Sequence, residues 1–205
     1  MTGEESQLED TTVNESDEPE SNLDQIVDSF SGMELKPELL RGIYADGFER
    51  PSTIQQRAIV PVLKGRDVVA QSQAGTGKTV ALSISILQRL DPAVKETQVL
   101  VLAPTRDVAR RNHDLVGALA AYMGIQSMVL LGGTSVRVEI AALTEGVQLV
   151  ILCLDEADDI VSRGFQEQIY ELFERLPRAT QVAIFSATLP AEVLDVAENL
   201  TGDPS

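Results

Sequence analysis

Eight residues, Ser72-Gln73-Ala74-Gly75-Thr76-Gly77-Lys78-Thr79, leave this chain few ways to fold. They follow the apolar run Val68-Val69-Ala70 and open an apolar helical run from Thr79 to Leu90. Strand, glycine loop and helix in that order are what a phosphate-binding loop requires. Gly75 and Gly77 allow backbone N–H groups to turn inward with no Cβ in the way. The helix N-terminus adds a positive dipole end facing the same anion. Lys78 is placed to reach β- and γ-phosphates, and the Thr79 hydroxyl to hold Mg²⁺. Ser72 stands where Gly or Ala is usual, and it is small enough to be tolerated. In isolation the same letters describe a glycine turn beside a lone lysine. The flanking strand and helix favour the loop.

The rest of the chain alternates in the same way. Apolar runs predict strands at 67–70, 98–102, 127–131, 147–154 and 181–185. Helical patterns fall at 37–44, 54–63 (with Pro61 a candidate kink), 78–90, 106–123, 136–143 and 190–199. On the first helix, Leu39, Leu40, Ile43 and Tyr44 share one side; on the fourth, Val108, Leu115 and Leu119 form a stripe. Near-continuous apolar strands between helices mean an α/β fold, a parallel sheet covered on both faces. Such sheets bind ligands beyond the carboxyl ends of their strands. The residues found there are the 72–79 loop, Pro104-Thr105-Arg106, Gly132-Gly133, Asp155-Glu156 and Ser186-Ala187-Thr188. Asp155 ends the most apolar strand, where a carboxylate can hold a hydrated Mg²⁺. Glu156 beside it can orient or deprotonate water. Adjacent carboxylates also occur in solvated turns; downstream of a phosphate loop the catalytic reading is preferred.

Charge separates the chain into two parts. Residues 1–35 carry eleven Asp and Glu and no Lys or Arg, which accounts for −11 of the formal net charge of −16. A leader of that composition cannot bury enough apolar surface to offset its ordering entropy, so residues 1–26 are expected to be disordered. The remaining −5 does not exclude a nucleic-acid partner, because local patches matter more than the total. The one cysteine, Cys153, excludes an intramolecular disulfide and reads as a small buried hydrophobe. No secretory leader and no apolar run of membrane-spanning length is evident, which points to cytoplasm or nucleus and to no membrane role. His113, the only histidine, is expected on an exposed helix face with no second metal ligand or triad partner nearby. Arg110-Arg111 reads as a solvated face, and Phe165 and Phe173 as core or partner-facing residues.

With these residues in place the chain resembles the DEAD-box RNA helicases. Asp155-Glu156-Ala157-Asp158 spells the family's name, and the resemblance extends from about Phe30 to the end. Gly47 to Gln55 is similar to the family's Q motif, with Phe30 as the isolated upstream aromatic. A Gln amide can pair with both the donor and the acceptor edge of adenine. The resemblance thus implies that Gln55 reads adenine, Phe30 or Phe48 packs on the ring, and Arg50 lies beside it. Residues 72–79 correspond to motif I, so that Gly75, Thr76, Gly77, Lys78, Thr79 and Val80 would line the nucleotide site. Pro104 to Ala109 is similar to motif Ia, with Asp107 where Glu is usual, and Gly132-Gly133 matches the family's glycine pair. Pro104, Thr105, Arg106, Gly132 and Gly133 would then meet RNA through its backbone, independent of base sequence. Ser186-Ala187-Thr188 matches motif III, which in the family couples ATP to RNA, and Ser162 to Phe165 also fits. The runs Arg41–Pro51 and Ser162–Tyr170 are most similar to the translation initiation factor branch and its exon-junction paralogue, which implies protein partners of those types.

The resemblance implies a RecA-like domain over 27–205 that binds ATP and Mg²⁺ as a monomer and belongs to an RNA-dependent ATPase and helicase. Its catalytic set would be Lys78, Thr79, Asp155 and Glu156, with Thr79 and Asp155 on the metal. Two departures qualify this. Only 22 positions separate Gly133 from Asp155. The family places a Thr-Pro-Gly-Arg motif, a helix and the start of another strand there. Here Val147 to Ile151 runs directly into Leu152-Cys153-Leu154-Asp155, as if two strands were fused. The second RecA-like domain, which the resemblance implies would bring arginine fingers, is expected to be absent. The alternative reading is a nucleotide-binding or interaction fragment with weak or no turnover.

Overall fold

The computed structural model describes residues 26–131, 135–153 and 169–188. A 3-10 turn at Ser31–Met33 leads into α1 (Pro37–Ala45) and α2 (Thr53–Leu63). There follow β1 (Val68–Gln71), α3 (Lys78–Arg89), β2 (Val99–Ala103), α4 (Arg106–Leu119), β3 (Ser127–Leu130), α5 (Val136–Gly146), β4 (Leu149–Cys153) and β5 (Ala183–Ser186). Residues 169–173 are also helical. Every strand pairing is parallel, in keeping with the α/β reading. The acidic leader and the helix expected at 190–199 lie outside the described residues.

Local chemistry sets the element bounds. Pro37 sits in the first turn of α1, where its missing N–H has no partner to lose. Gly47, at φ 88°, turns the chain out of that helix. Pro61 lies inside α2, which ends two residues later as the Lys64 N–H donates back to the carbonyls of Val60 and Pro61. The Thr105 side chain caps α4 by accepting from the Val108 N–H at 3.3 Å. That helix stops at Leu119, earlier than its apolar pattern predicts. A Cβ on Gly42 would run into the Leu119 carbonyl, so the close crossing of α1 and α4 depends on glycine there.

The core joins Phe30, Leu39, Ile43 and Ile59 to Ile84, Leu87, Leu119 and the strand residues Leu149 and Ile151, all wholly buried. Tyr44, expected to face inward with Leu39 and Ile43, is half exposed instead. On α4 the buried positions are Ala109, Val116 and Leu119; Val108 and Leu115 pack at its margin.

The strands form two ladders: β1–β5, and β2–β4–β3. Their relative order follows from the helices. Helix α2 packs on β1, α3 on β5, and α4 on β2, β4 and β3, while α3 touches both α2 and α4. One helical layer thus runs over strands in the order β1, β5, β2, β4, β3. Connections between parallel strands are right-handed. The path from β2 to β3 runs in one direction through α4, and the path back from β3 to β4 places α5 on the opposite face.

Candidate nucleotide site

Three stretches distant in sequence meet at the carboxyl ends of β1 and β5. In register, Gln71 pairs with Ser186. The Ser72 N–H donates to the Ser186 carbonyl at 3.1 Å. The phosphate-type loop and the Ser186-Ala187-Thr188 turn therefore start side by side. The Ser186 hydroxyl closes its own turn on the Thr188 carbonyl at 2.5 Å.

The loop between β1 and α3 has the backbone its glycines allow. Gly75 has φ 80° and Gly77 φ 96°, both left-handed. The two are needed for different reasons. A Cβ on Gly75 would meet open space, so conformation alone requires glycine there. At Gly77 a Cβ would also collide with the Gln55 amide. Gly77 is the cap of α3, and its carbonyl accepts from Ala81 N–H at 2.9 Å, so the amide-rich end of that helix opens at the loop. The Lys78 ammonium donates to the carbonyls of Ser72 and, at 2.7 Å, Gln73. The Thr76 hydroxyl donates to Gln73 O at 2.7 Å and lies 2.6 Å from Ser72 Oγ. Ser72, the departure from the usual first residue, thus braces the loop from within. Thr79 is exposed at the start of α3 and Val80 is buried beneath it.

The Q-motif segment reaches this loop through Gln55. Its Oε1 accepts from Ser52 N–H at 2.8 Å and its Nε2 donates to Gly77 O at 3.2 Å. Ser52 Oγ donates to Thr76 O at 2.7 Å. Gln55 is 3% exposed. Both ends of its amide are engaged within the protein, so the residue read from sequence as an adenine contact ties α2 to the loop in this structure. Phe30 is fully buried in the core, whereas Phe48 is half buried and Arg50 exposed. Of the two candidate rings, Phe48 is the one with an open side.

The other predicted residues sit apart from this cluster. Pro104, Thr105 and Arg106 lead from β2, in the second ladder, into α4, with the Thr105 hydroxyl spent on the helix cap. His113, expected on an exposed face, is half buried, with Nε2 3.3 Å from the Ser127 carbonyl; it fastens α4 to β3. Gly132, Gly133, Asp155, Glu156 and Ser162 to Phe165 lie outside the described residues. Among the described residues no cluster of His, Cys, Asp and Glu could hold a metal. The loop fits a nucleotide phosphate: left-handed glycines, a helix N-terminus and an ammonium converge on one spot. For Mg²⁺ the described residues offer the Thr79 hydroxyl. None of the described helices is long and apolar enough to cross a membrane.

Sequence reasoning missed one residue. Gln148 is 2% exposed, and its amide accepts from Gln126 N–H at 2.8 Å and donates to Val94 O at 3.3 Å. Its backbone N–H and C=O bond to Gln126 and Gln98. A polar residue at the entrance of an apolar strand was the available signal.

Comparison with known proteins supplies the setting. The family model described as DEAD/DEAH box helicase matches residues 52–153 and again 145–196. Residues 145–153 thus serve as the end of one match and the start of the next. An ATP-dependent RNA helicase eIF4A of Neosartorya fischeri is 52% identical across 90% of this chain, and one of Neurospora crassa is 50% identical. The chain spans about half the length of these relatives: 52% of each. Among solved structures, a DEAD box protein from Methanococcus jannaschii aligns at TM-score 0.80 and 25% identity over 87% of this chain and 55% of its own. S. cerevisiae Dbp5, solved bound to Gle1 and IP6, aligns at TM-score 0.74 and 30% identity over 88% of this chain and 52% of its own.

Proposed function

Because the chain belongs to the DEAD/DEAH box helicase family, we propose that residues 27–205 are the first RecA-like domain of an RNA-dependent ATPase and helicase, binding ATP at residues 72–79. The observation that carries this is the pair of ties Gln55–Gly77 and Ser72–Ser186: one cluster joins a nucleotide loop, the segment beside it that can read a base, and the turn that couples to RNA. Loop N–H groups and the α3 terminus supply donors to phosphate oxygens. Lys78 exchanges the carbonyls of Ser72 and Gln73 for phosphate, a charge-assisted contact. Thr79 offers its hydroxyl to Mg²⁺, which would neutralise phosphate charge there. Gln55 turns its amide toward adenine, and Phe48 covers the ring with Arg50 at its edge.

RNA backbone is met by Pro104, Thr105, Arg106, Gly132 and Gly133, and Ser186-Ala187-Thr188 links the two ligands. The carboxylates this chemistry requires are Asp155 for the metal and Glu156 for water. Their delivery depends on where β4 runs. The position of β4 favours a second reading for this chain alone, a nucleotide-binding unit with feeble turnover. Protein partners of the initiation-factor type suit the relatives' name, eIF4A, and those of the exon-junction type follow from the sequence resemblance alone. A monomer in cytoplasm or nucleus suits the reading.

Titration with fluorescent ADP and GDP tests it. ADP is expected to bind more tightly, and Gln55→Ala to narrow the gap. Equal affinities would remove the adenine assignment.

A further inference from the structure

We infer that Leu149–Cys153 is committed to the strand position between β2 and β3, that among the described residues no strand stands between β5 and β2, and that β4 therefore ends at Cys153 away from the nucleotide loop. The consequence for the loop deepens the nucleotide-site reading and rests on it; the strand order does not.

Residues 145–153 answer to two successive stretches of the family model, and one strand can fill only one position. The structure resolves which. Strand β4 pairs in register with β2 along its length, Val99 with Leu149 through Ala103 with Cys153, and with β3 from Ser127 to Leu130. Leu149, Val150 and Ile151 are all buried, so both faces of β4 are covered, as in a central strand. Gln148 locks this position from below: its amide spans Val94 on one side and Gln126 on the other. A buried amide satisfied at both ends fits this position, and moving the strand would orphan those groups.

The opposite signs mark β5. Its four residues are all half buried, and among the described residues only β1 pairs with it. Strand β2 likewise has β4 on one edge alone, and its Leu102 is 37% exposed. The α3–α4 contact holds these two open edges under one helical layer.

Bond lengths limit how far the chain travels after β4. Two residues beyond Cys153 reach at most about 7 Å. Strands β2 and β5 both intervene between β4 and β1, so at least three strand spacings, about 14 Å, separate β4 from the strand that feeds the loop. Lys78 and Thr79 stay at the loop after β1, whereas β4 ends at Cys153 on the far ladder.

Cys153 is the only cysteine, so a second one reports its neighbour directly. Ala103→Cys, Leu131→Cys, Ile184→Cys and Phe185→Cys are each made in the full chain, oxidised mildly with and without Mg-ATP, and scored by mass for an intramolecular disulfide. A disulfide needs Cα atoms about 4.4–6.8 Å apart, the reach of adjacent strands. Ala103 lies in register with Cys153, and Leu131 follows the Leu130–Leu152 pair. Cross-links are expected from Ala103→Cys or Leu131→Cys and from neither β5 variant. A link from β5, or failure of both Ala103→Cys and Leu131→Cys, overturns the inference. These links do not depend on nucleotide affinity, so failure of the nucleotide-site reading would be seen separately.

Discussion

The β1–β5 half and the β2–β4–β3 half of this molecule were specified in different ways. The first is built on short-range chemistry: two left-handed glycines, a helix cap, and Gln55 reaching Gly77. The second depends on which strand lies beside which, and there β4 takes a central place with its own buried clamp, Gln148. A loop can keep its form when a neighbouring strand is lost, because its hydrogen bonds are internal. Strand order has no such protection, since removing one βα unit changes what every later strand can pair with. The nucleotide half is therefore expected to retain binding while the other half governs stability and turnover.

Ile151→Ala gives the largest effect that separates the halves. Ile151 is fully buried, and the substitution should cost about 2–5 kcal/mol in urea unfolding. ADP affinity of the protein that remains folded should not change. Lys78→Ala is the reverse case. Loss of a charge-assisted phosphate contact, worth about 1.5–3 kcal/mol, should weaken ATP by about 10- to 100-fold and leave the unfolding midpoint in place. Retained affinity would mean the loop is unused. Gln55→Ala touches both properties. It leaves Ser52 N–H without its partner and takes one of two donors from Gly77 O, and a cost of about 1–2 kcal/mol should accompany the narrowed adenine preference. The smallest effect is expected on α5, where Val138 is 67% exposed. Val138→Ser should shift stability by no more than about 0.5 kcal/mol. A large loss there would show α5 packed in solution.

The parallel α/β fold was legible because apolar runs and helical stripes alternate without interruption, and the loop because its glycines sit between such runs. Gln55 was legible as a residue of the site, but its partners were not. That an amide spans a cap and a loop 22 positions away depends on tertiary approach. Phe30 illustrates the same limit: an isolated aromatic can serve a ligand or a core, and burial decided for the core. His113 was assigned to solvent because its helix neighbours are charged, yet it faces β3. The fused strand expected from the sequence rests on the apolar run from Leu149 to Leu154, but a run of that kind fits any central position. Only pairing tells which.

The most direct test is to measure nucleotide binding and RNA-stimulated phosphate release on the same preparation, beside a full-length eIF4A relative. This chain is expected to bind ATP, to separate no short RNA duplex, and to release phosphate at least about 10²-fold more slowly, as when catalytic groups are misplaced. Release at a rate comparable to the relative's would contradict this expectation, and would mean that Asp155 and Glu156 reach the loop despite the position of β4.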